Sequence, residues 1–246
     1  GRATRLLARG AAGIGLGYAG ARRALPRAAR CRVTGTPLRG DLRADGVADE
    51  FGLSPHRPTL LVLGGSQGAA GLNEKIAAGI ATCRDLDFQV LHCSGSGDLE
   101  RMRSVYDAQG VSASVHSFLP DIGRAYAIAD LVLSRAGAST VAECAAMERP
   151  AVFVPYPWHK DRQQVHNAWE SVRAGAARVV EEQDLDPRTL REIVGKLLLD
   201  GERRNAMADA ARAVARPNAA QDMAAHLLES FGPAIAGRAV IVELCG

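Results

Sequence analysis

The sequence predicts an α/β fold, a Rossmann-like parallel sheet with helices on both faces and an all-helical C-terminal segment. Two observations predict it. Apolar, β-rich runs at 59–63, 88–92, 111–116, 131–133, 151–154 and 177–180 alternate with helical spacing at 72–83, 99–108, 122–129, 140–147 and 162–173. Strands separated by single helices require right-handed crossovers, hence parallel neighbours covered on both faces. Beyond Asp186 the spacing is helical to about Phe231, broken at Pro217.

Residues 1–57 are rich in Gly, Ala and Arg, with strands expected at 13–18 and 32–34, and read as the end of a preceding lobe. The last stretch, 232–246, is apolar, ends in Val240-Ile-Val-Glu-Leu, and receives no element. Hydrophobic residues make up 47% of the 246, yet no apolar run is long enough to span a bilayer. Five scattered cysteines form no Cys-x-x-Cys pair, which fits a reducing compartment rather than a disulfide framework or a zinc site.

Charge is unevenly placed. Residues 1–40 hold nine arginines and no acidic residue, so the rest of the chain is net acidic although the whole carries +3. A solvated surface, attraction to an anionic membrane and an Arg-rich targeting segment are all open readings. Nucleic acid is disfavoured, because apart from Tyr18 no aromatic side chain interleaves these arginines to stack bases.

Three strand-to-helix junctions carry the chemistry, since open α/β sheets bind ligands beyond the carboxyl ends of their strands. The first is Gly64-Gly-Ser-Gln-Gly68, whose glycines permit close backbone approach before a helix N-terminus, with Ser66 adding a hydroxyl for an anion. It lacks the Lys of a Walker loop, and Gly65-x-x-Gly68-x-x-Gly71 is not a dinucleotide fingerprint. The second junction is Arg135-Ala-Gly-Ala-Ser-Thr-Val-Ala-Glu143. Thr140 and Glu143 have capping-box spacing, but a carboxylate there also suits a ribose diol, and Arg135 suits a diphosphate. The third follows Phe153-Val-Pro-Tyr-Pro-Trp158, where Asp161 and Gln164 have capping spacing and Gln163, Gln164 and Asn167 offer both donors and acceptors to sugar hydroxyls. Together they describe a nucleotide-sugar pocket. Asp85-Leu-Asp87 precedes a strand rather than following one and reads as incidental. The six histidines show no metal-ligand pair of the His-Glu-x-x-His kind.

In order and spacing these segments resemble the C-terminal, donor-binding half of the MurG-type UDP-N-acetylglucosamine transferases, from the start of the chain to about Leu228. Gly35-Thr-Pro-Leu-Arg39 is similar to the family's inter-domain Gly-Asn-Pro-Val-Arg segment. The resemblance implies a GT-B architecture, with 1–40 a remnant of the acceptor lobe and inter-domain segment, 41–231 the UDP-sugar domain and 232–246 an unassigned tail. It implies diphosphate contacts from Arg39, Ser66, Ala138, Ser139 and Thr140, a uracil contact from the backbone of Leu119, and ribose binding by Glu143. Gln163, Gln164 and Asn167 would hold N-acetylglucosamine. No metal and no cofactor is implied. The implied reaction is inverting transfer to undecaprenyl-diphosphate-linked muramyl-pentapeptide in peptidoglycan synthesis, at the cytoplasmic face of the bacterial inner membrane and in contact with anionic lipid. The family's glycine-rich acceptor loop, which supplies its proposed base, is not found, so no catalytic residue is expected here. A non-catalytic nucleotide-sugar module or the donor subunit of a split enzyme is the alternative, with a nicotinamide enzyme disfavoured by the glycine spacing.

Overall fold

The computed structural model describes residues 2–26, 30–40, 42, 45–64, 70–158 and 162–231. It opens with helix α1 (Arg2–Leu7) and strands β1 (Ile14–Leu16) and β2 (Cys31–Val33), which pair in parallel as a separate two-stranded sheet. The main domain then runs β3 (Thr59–Leu63), α2 (Ala70–Gly79), β4 (Gln89–Cys93), α3 (Leu99–Gln109), β5 (Ala113–His116), α4 (Ile122–Ile128), β6 (Leu131–Ser134), α5 (Ala138–Ala146), β7 (Ala151–Phe153), α6 (Gln163–Ala174) and β8 (Ala177–Val179). Helices α7 (Pro187–Ile193), α8 (Gly201–Val214) and α9 (Ala219–Phe231) close the described chain, and a π-helical turn at Val194–Leu198 extends α7. The expected parallel sheet is present, with strand order β5-β4-β3-β6-β7-β8. The expected C-terminal run of helices is present too, and it breaks between α8 and α9, where Pro217 stands.

Strand residues alternate between two buried layers, which is why each run is apolar throughout rather than at every second position. Leu60, Val62, Val90, Leu131, Leu133 and Val152 pack with α2, α3, α7 and α8 through Leu72, Ile76, Met102, Tyr106, Leu190 and Met207. Leu61, Leu91, Val132 and Phe153 face the other way, onto Tyr126 of α4, Cys144 of α5 and Ala168 of α6.

A third, small core of Ala8, Ile14 and Leu16 lies under the two-stranded sheet. Helix α9 crosses back to cover that sheet. Thr34 Oγ1 meets Met223 Sδ at 3.8 Å and Arg32 pairs with Glu229 at 2.9 Å. Gly15 makes the approach possible, because a Cβ there would stand 2.3 Å from Met223 Sδ.

The helical tail is locally specified. Asp200 caps α8 by accepting from Arg203 N–H at 3.0 Å. Asp200→Ala is expected to lower stability by about 1 kcal/mol, the usual cost of a lost N-cap, measured as a shift of the urea midpoint at unchanged slope. The acidic pair read as incidental has structural partners: Asp85 takes a two-pronged bond from Arg191 at 2.6 and 2.8 Å, and Asp87 accepts from Arg57 at 2.8 Å.

Candidate functional site

The strand order places the reversal of winding between β3 and β6, which are direct neighbours. The crevice beyond their carboxyl ends is therefore the expected ligand position. The carboxyl end of β3 is one wall. Gly64 is buried directly after it, and Ser66, with the rest of 65–69, lies outside the described residues.

The loop after β6 is the other wall. Gly137 is the N-cap of α5, in extended conformation, and the helix closes its first bond from Val141 N to Gly137 O at 3.0 Å. Helix geometry leaves the amides of Ala138, Ser139 and Thr140 without intrahelical acceptors, over small side chains, at the positive end of the dipole. Ala138 is buried, Ser139 exposed and Thr140 half-buried. The capping-box reading of Thr140 and Glu143 fails: the N-cap is Gly137, three residues earlier than the spacing suggested, so Thr140 lies inside the helix. Glu143 instead sits on the buried flank of α5, where its Oε2 accepts from Tyr126 Oη at 3.0 Å. One carboxylate oxygen is thus held while the group keeps acceptor capacity for a ligand. Beside it, burial pushes the Cys144 thiol far above the ordinary range, so it is no nucleophile.

Arg135 lies inward of this mouth. Its guanidinium donates to the carbonyls of Val154 at 3.2 Å and Pro155 at 3.4 Å, pairs with Glu182, and lies 5.5 Å from the centre of the Tyr156 ring. Rather than a free cation, it is a clamp on the β7 end whose charge Glu182 answers. The Glu182 carboxylate rests against the first turn of α2, where a Cβ on Gly71 would meet Oε1 at 2.8 Å. Among the described residues six buried side-chain atoms lack a hydrogen-bond partner, and three of them, Ser134 Oγ, Arg135 Nε and Asn167 Oδ1, belong to the β6 end and the helix above it. Buried polar atoms are nearly always paired, so such a cluster marks a place where a ligand or water supplies the partner.

Helix α6 starts at Gln163 with Arg162 as its N-cap, and Asp161 lies outside the described residues. Asn167 Nδ2 donates to Ala136 O at 3.0 Å, tying α6 to the β6 loop. Gln164 turns back and accepts from Tyr156 N–H at 2.8 Å, while Gln163 is half-buried beside it. A cleft of about 1310 Å³, open mouth included, lies here between Lys75, Tyr156, Trp158, Gln164 and Glu182.

At the opposite end, the β5–α4 loop carries buried Leu119 beside Phe118, which is 69% exposed. Arg39 is exposed on the connector from β2, where its carbonyl accepts from Leu42 N–H at 3.4 Å.

The first turn of α2 is anchored from below. Asn73 Nδ2 donates to Ser94 O at 2.9 Å and to Asp98 Oδ2 at 2.7 Å, so its Oδ1 is the atom facing His92 Nε2 at 3.0 Å. Nε2 must then carry the proton, and Nδ1 accepts from Tyr106 Oη at 2.9 Å. Tyr126, Glu182 and the Asn73–His92 pair were all missed from sequence. Glu182 had a signal, since it follows β8 as Arg135 follows β6, but that fourth strand end was not read as a junction.

Comparisons with known proteins bear on this site. The sequence profile of the glycosyltransferase family 28 C-terminal domain matches residues 59–223. The UDP-N-acetylglucosamine–N-acetylmuramyl-(pentapeptide) pyrophosphoryl-undecaprenol N-acetylglucosamine transferase of Nitratidesulfovibrio vulgaris (strain Miyazaki F) is 40% identical over 227 residues, covering 86% of this chain and 58% of the relative. The transferase of the same description from Halorhodospira halophila is 41% identical over 198 residues, or 80% of this chain and 55% of its own length. The chain thus spans little more than half the length of the curated relatives it matches. The crystal structure of Acinetobacter baumannii MurG superposes with a TM-score of 0.74 at 27% identity, covering 93% of this chain and 63% of that one. A UDP-N-acetylglucosamine 2-epimerase shares the fold, with a TM-score of 0.58 at 17% identity over 89% of this chain and 57% of that one.

Proposed function

Because this chain belongs to the glycosyltransferase family 28 C-terminal-domain family, we propose that it is a donor lobe that holds UDP-N-acetylglucosamine across the β3/β6 crevice. The observation that carries the reading is Glu143, a buried carboxylate set below the open amides of the α5 N-terminus. Diphosphate on the amides and ribose hydroxyls on the carboxylate is the pairing those groups suit. Ser66 and Arg39 complete the diphosphate contacts, and the backbone at Leu119 receives the uracil. Gln163, Gln164 and Asn167 surround the sugar, with Gln164 leaving Tyr156 N–H when the sugar enters. Arg135 acts through the geometry of the β7 end.

Acting with an acceptor lobe, this domain passes N-acetylglucosamine with inversion to a lipid-linked muramyl-pentapeptide in peptidoglycan synthesis, as a hexosyltransferase at the cytoplasmic face of the membrane. The two-stranded sheet and residues 1–40 are the acceptor-lobe side of this arrangement, 41–231 the donor side. The arginines of 1–40 supply the attraction to anionic lipid. The relatives named for this transfer, 40% and 41% identical over 227 and 198 residues, support the reading.

Calorimetric titration tests it. UDP-N-acetylglucosamine is expected to bind one-to-one, more tightly than UDP-glucose, with NADH giving no heat. Equal affinity for the two sugars in a folded chain would refute the sugar assignment, and no affinity for either would refute the donor reading.

A further inference from the structure

The buried phenol behind Glu143 takes no part in the donor contacts described so far. Tyr126 lies wholly inside the layer formed by Leu61, Leu91, Val132 and Phe153, and its hydroxyl donates to Glu143 Oε2 at 3.0 Å. Burial, reinforced by the neighbouring Cys144 and Glu143, raises the phenol well above its ordinary range, so it stays protonated and donates to the carboxylate. Glu143 Oε1 is placed differently. It takes no hydrogen bond among the described residues, yet it is not one of the sealed polar atoms that lack a partner, so it opens to solvent. The two oxygens of one carboxylate are thus divided, one engaged by the fold and one left to a ligand.

That division matters because glutamate is among the side chains with most rotamer freedom to lose. A ligand that had to order the carboxylate would forfeit part of the bond it makes. The hydroxyl orders it beforehand, and the helix that carries the hydroxyl is itself fixed. Asp121 caps α4 by accepting from Arg124 N–H at 3.4 Å, and the Arg124 side chain pairs with Glu50 at 2.7 Å. Gly46 packs so closely on α4 that a Cβ there would stand 2.3 Å from Arg124 O. Leu119, whose backbone is the proposed uracil contact, stands two residues before the Asp121 cap. One buried hydroxyl therefore joins the base-reading loop and the ribose acceptor to a single rigid helix. A charged acceptor fixed in this way suits a vicinal diol, and a sugar that lacks one hydroxyl leaves it short of a donor. Sites built to bond a hydroxyl reject the analogue without it for that reason.

We propose that Tyr126 is a positioning residue that makes the donor site selective for ribonucleoside over 2′-deoxyribonucleoside diphosphates, by holding Glu143 Oε1 toward the diol. The proposal rests on the donor reading above, because Glu143 has a diol to meet only if a nucleotide occupies the crevice. The test is calorimetry on the full chain with UDP and 2′-deoxy-UDP, comparing the parent with Tyr126→Phe. The parent is expected to prefer UDP about tenfold or more. In Tyr126→Phe, UDP affinity is expected to fall about fivefold or more while that of 2′-deoxy-UDP changes less than about twofold, so the preference shrinks. A merely structural role would weaken both ligands alike, and equal weakening would overturn the proposal, as would an unchanged preference. Phenylalanine strands Oε2, so a Glu143→Ala/Tyr126→Phe variant, which removes both partners and leaves neither unmatched, guards against a simple loss of fold. Its UDP affinity is expected to equal that of Glu143→Ala alone, since Tyr126 acts through Glu143. A further loss in the double variant would also overturn the proposal. A folded parent that ignores UDP would sink the donor reading and this inference with it. A parent that binds UDP and 2′-deoxy-UDP equally would keep the donor reading and sink this inference alone.

Discussion

Glu143→Ala is expected to weaken UDP binding by about 1–3 kcal/mol, roughly 5- to 150-fold, with little change in uridine-independent pyrophosphate binding. The carboxylate is 9% exposed and sits behind the α5 amide cradle, so a ribose hydroxyl that reached it would exchange water for a charged acceptor in a sheltered place. Alanine also strands Tyr126 Oη, whose recorded acceptor is Glu143 Oε2. A buried hydroxyl without a partner destabilises the fold, which would confuse the measurement. Glu143→Gln separates the two effects. Its amide oxygen still accepts from Tyr126, but it lacks the charge and replaces an acceptor with a donor on the ligand side. If the glutamine variant melts like the parent and binds UDP as well, Glu143 serves Tyr126 alone and the ribose assignment is wrong.

The parts of this fold that sequence made legible are those that repeat locally. Each strand of the main sheet is a short apolar run buried on both faces, and each helix between them has its own periodic stripe, so order and type follow from adjacent residues. The strand order adds the crevice, and the three junctions read as polar or glycine-rich all lie along that edge. What could not be read are pairings between distant elements. Asn73, His92 and Tyr106 come from α2, β4 and α3, and nothing in the local sequence of any one indicates the other two. Arg135 was expected to meet a ligand's charge, but Glu182, 47 residues later, supplies an internal one. The capping-box spacing at Thr140 misled because Gly137 can start the helix through its backbone alone, with no side-chain cap. Spacing identifies groups able to meet, and burial decides which of them do.

The buried histidine leads to the largest effect expected of the fold. Burial holds the His92 imidazole down to about 3, with Asp98 opposing that shift and Arg101 adding to it. Its folded value lies below the ordinary 6.5, so between those limits the unfolded chain binds a proton that the native chain refuses. The stabilising contribution is therefore complete above about pH 6.5 and is lost as pH falls toward 3, at up to about 1.4 kcal/mol per unit, or some 3–5 kcal/mol in all. His116, lowered by burial and then by Arg103, acts in the same direction. The depressed carboxylate of Asp98, held by Arg101 and Asn73, adds acid lability at lower pH. Urea unfolding at pH 7, 6, 5.5 and 5 isolates the histidine window. His92→Gln is expected to be less stable at pH 7, because one amide cannot bridge both Tyr106 and Asn73, yet to lose less stability between pH 6.5 and 5 than the parent. Parallel pH profiles would show that His92 is not the group refusing the proton. The consequence for function follows from Asn73, which stands in the first turn of α2 directly after the glycine-rich loop. The folded imidazole takes a proton only as pH nears 3, and protonating Nδ1 removes the acceptor for Tyr106 while Nε2–H still holds Asn73, so the first turn of α2 keeps its anchor. UDP affinity of the folded parent should therefore stay level between pH 7 and 5 while its stability falls, as calorimetry at those pH values would show.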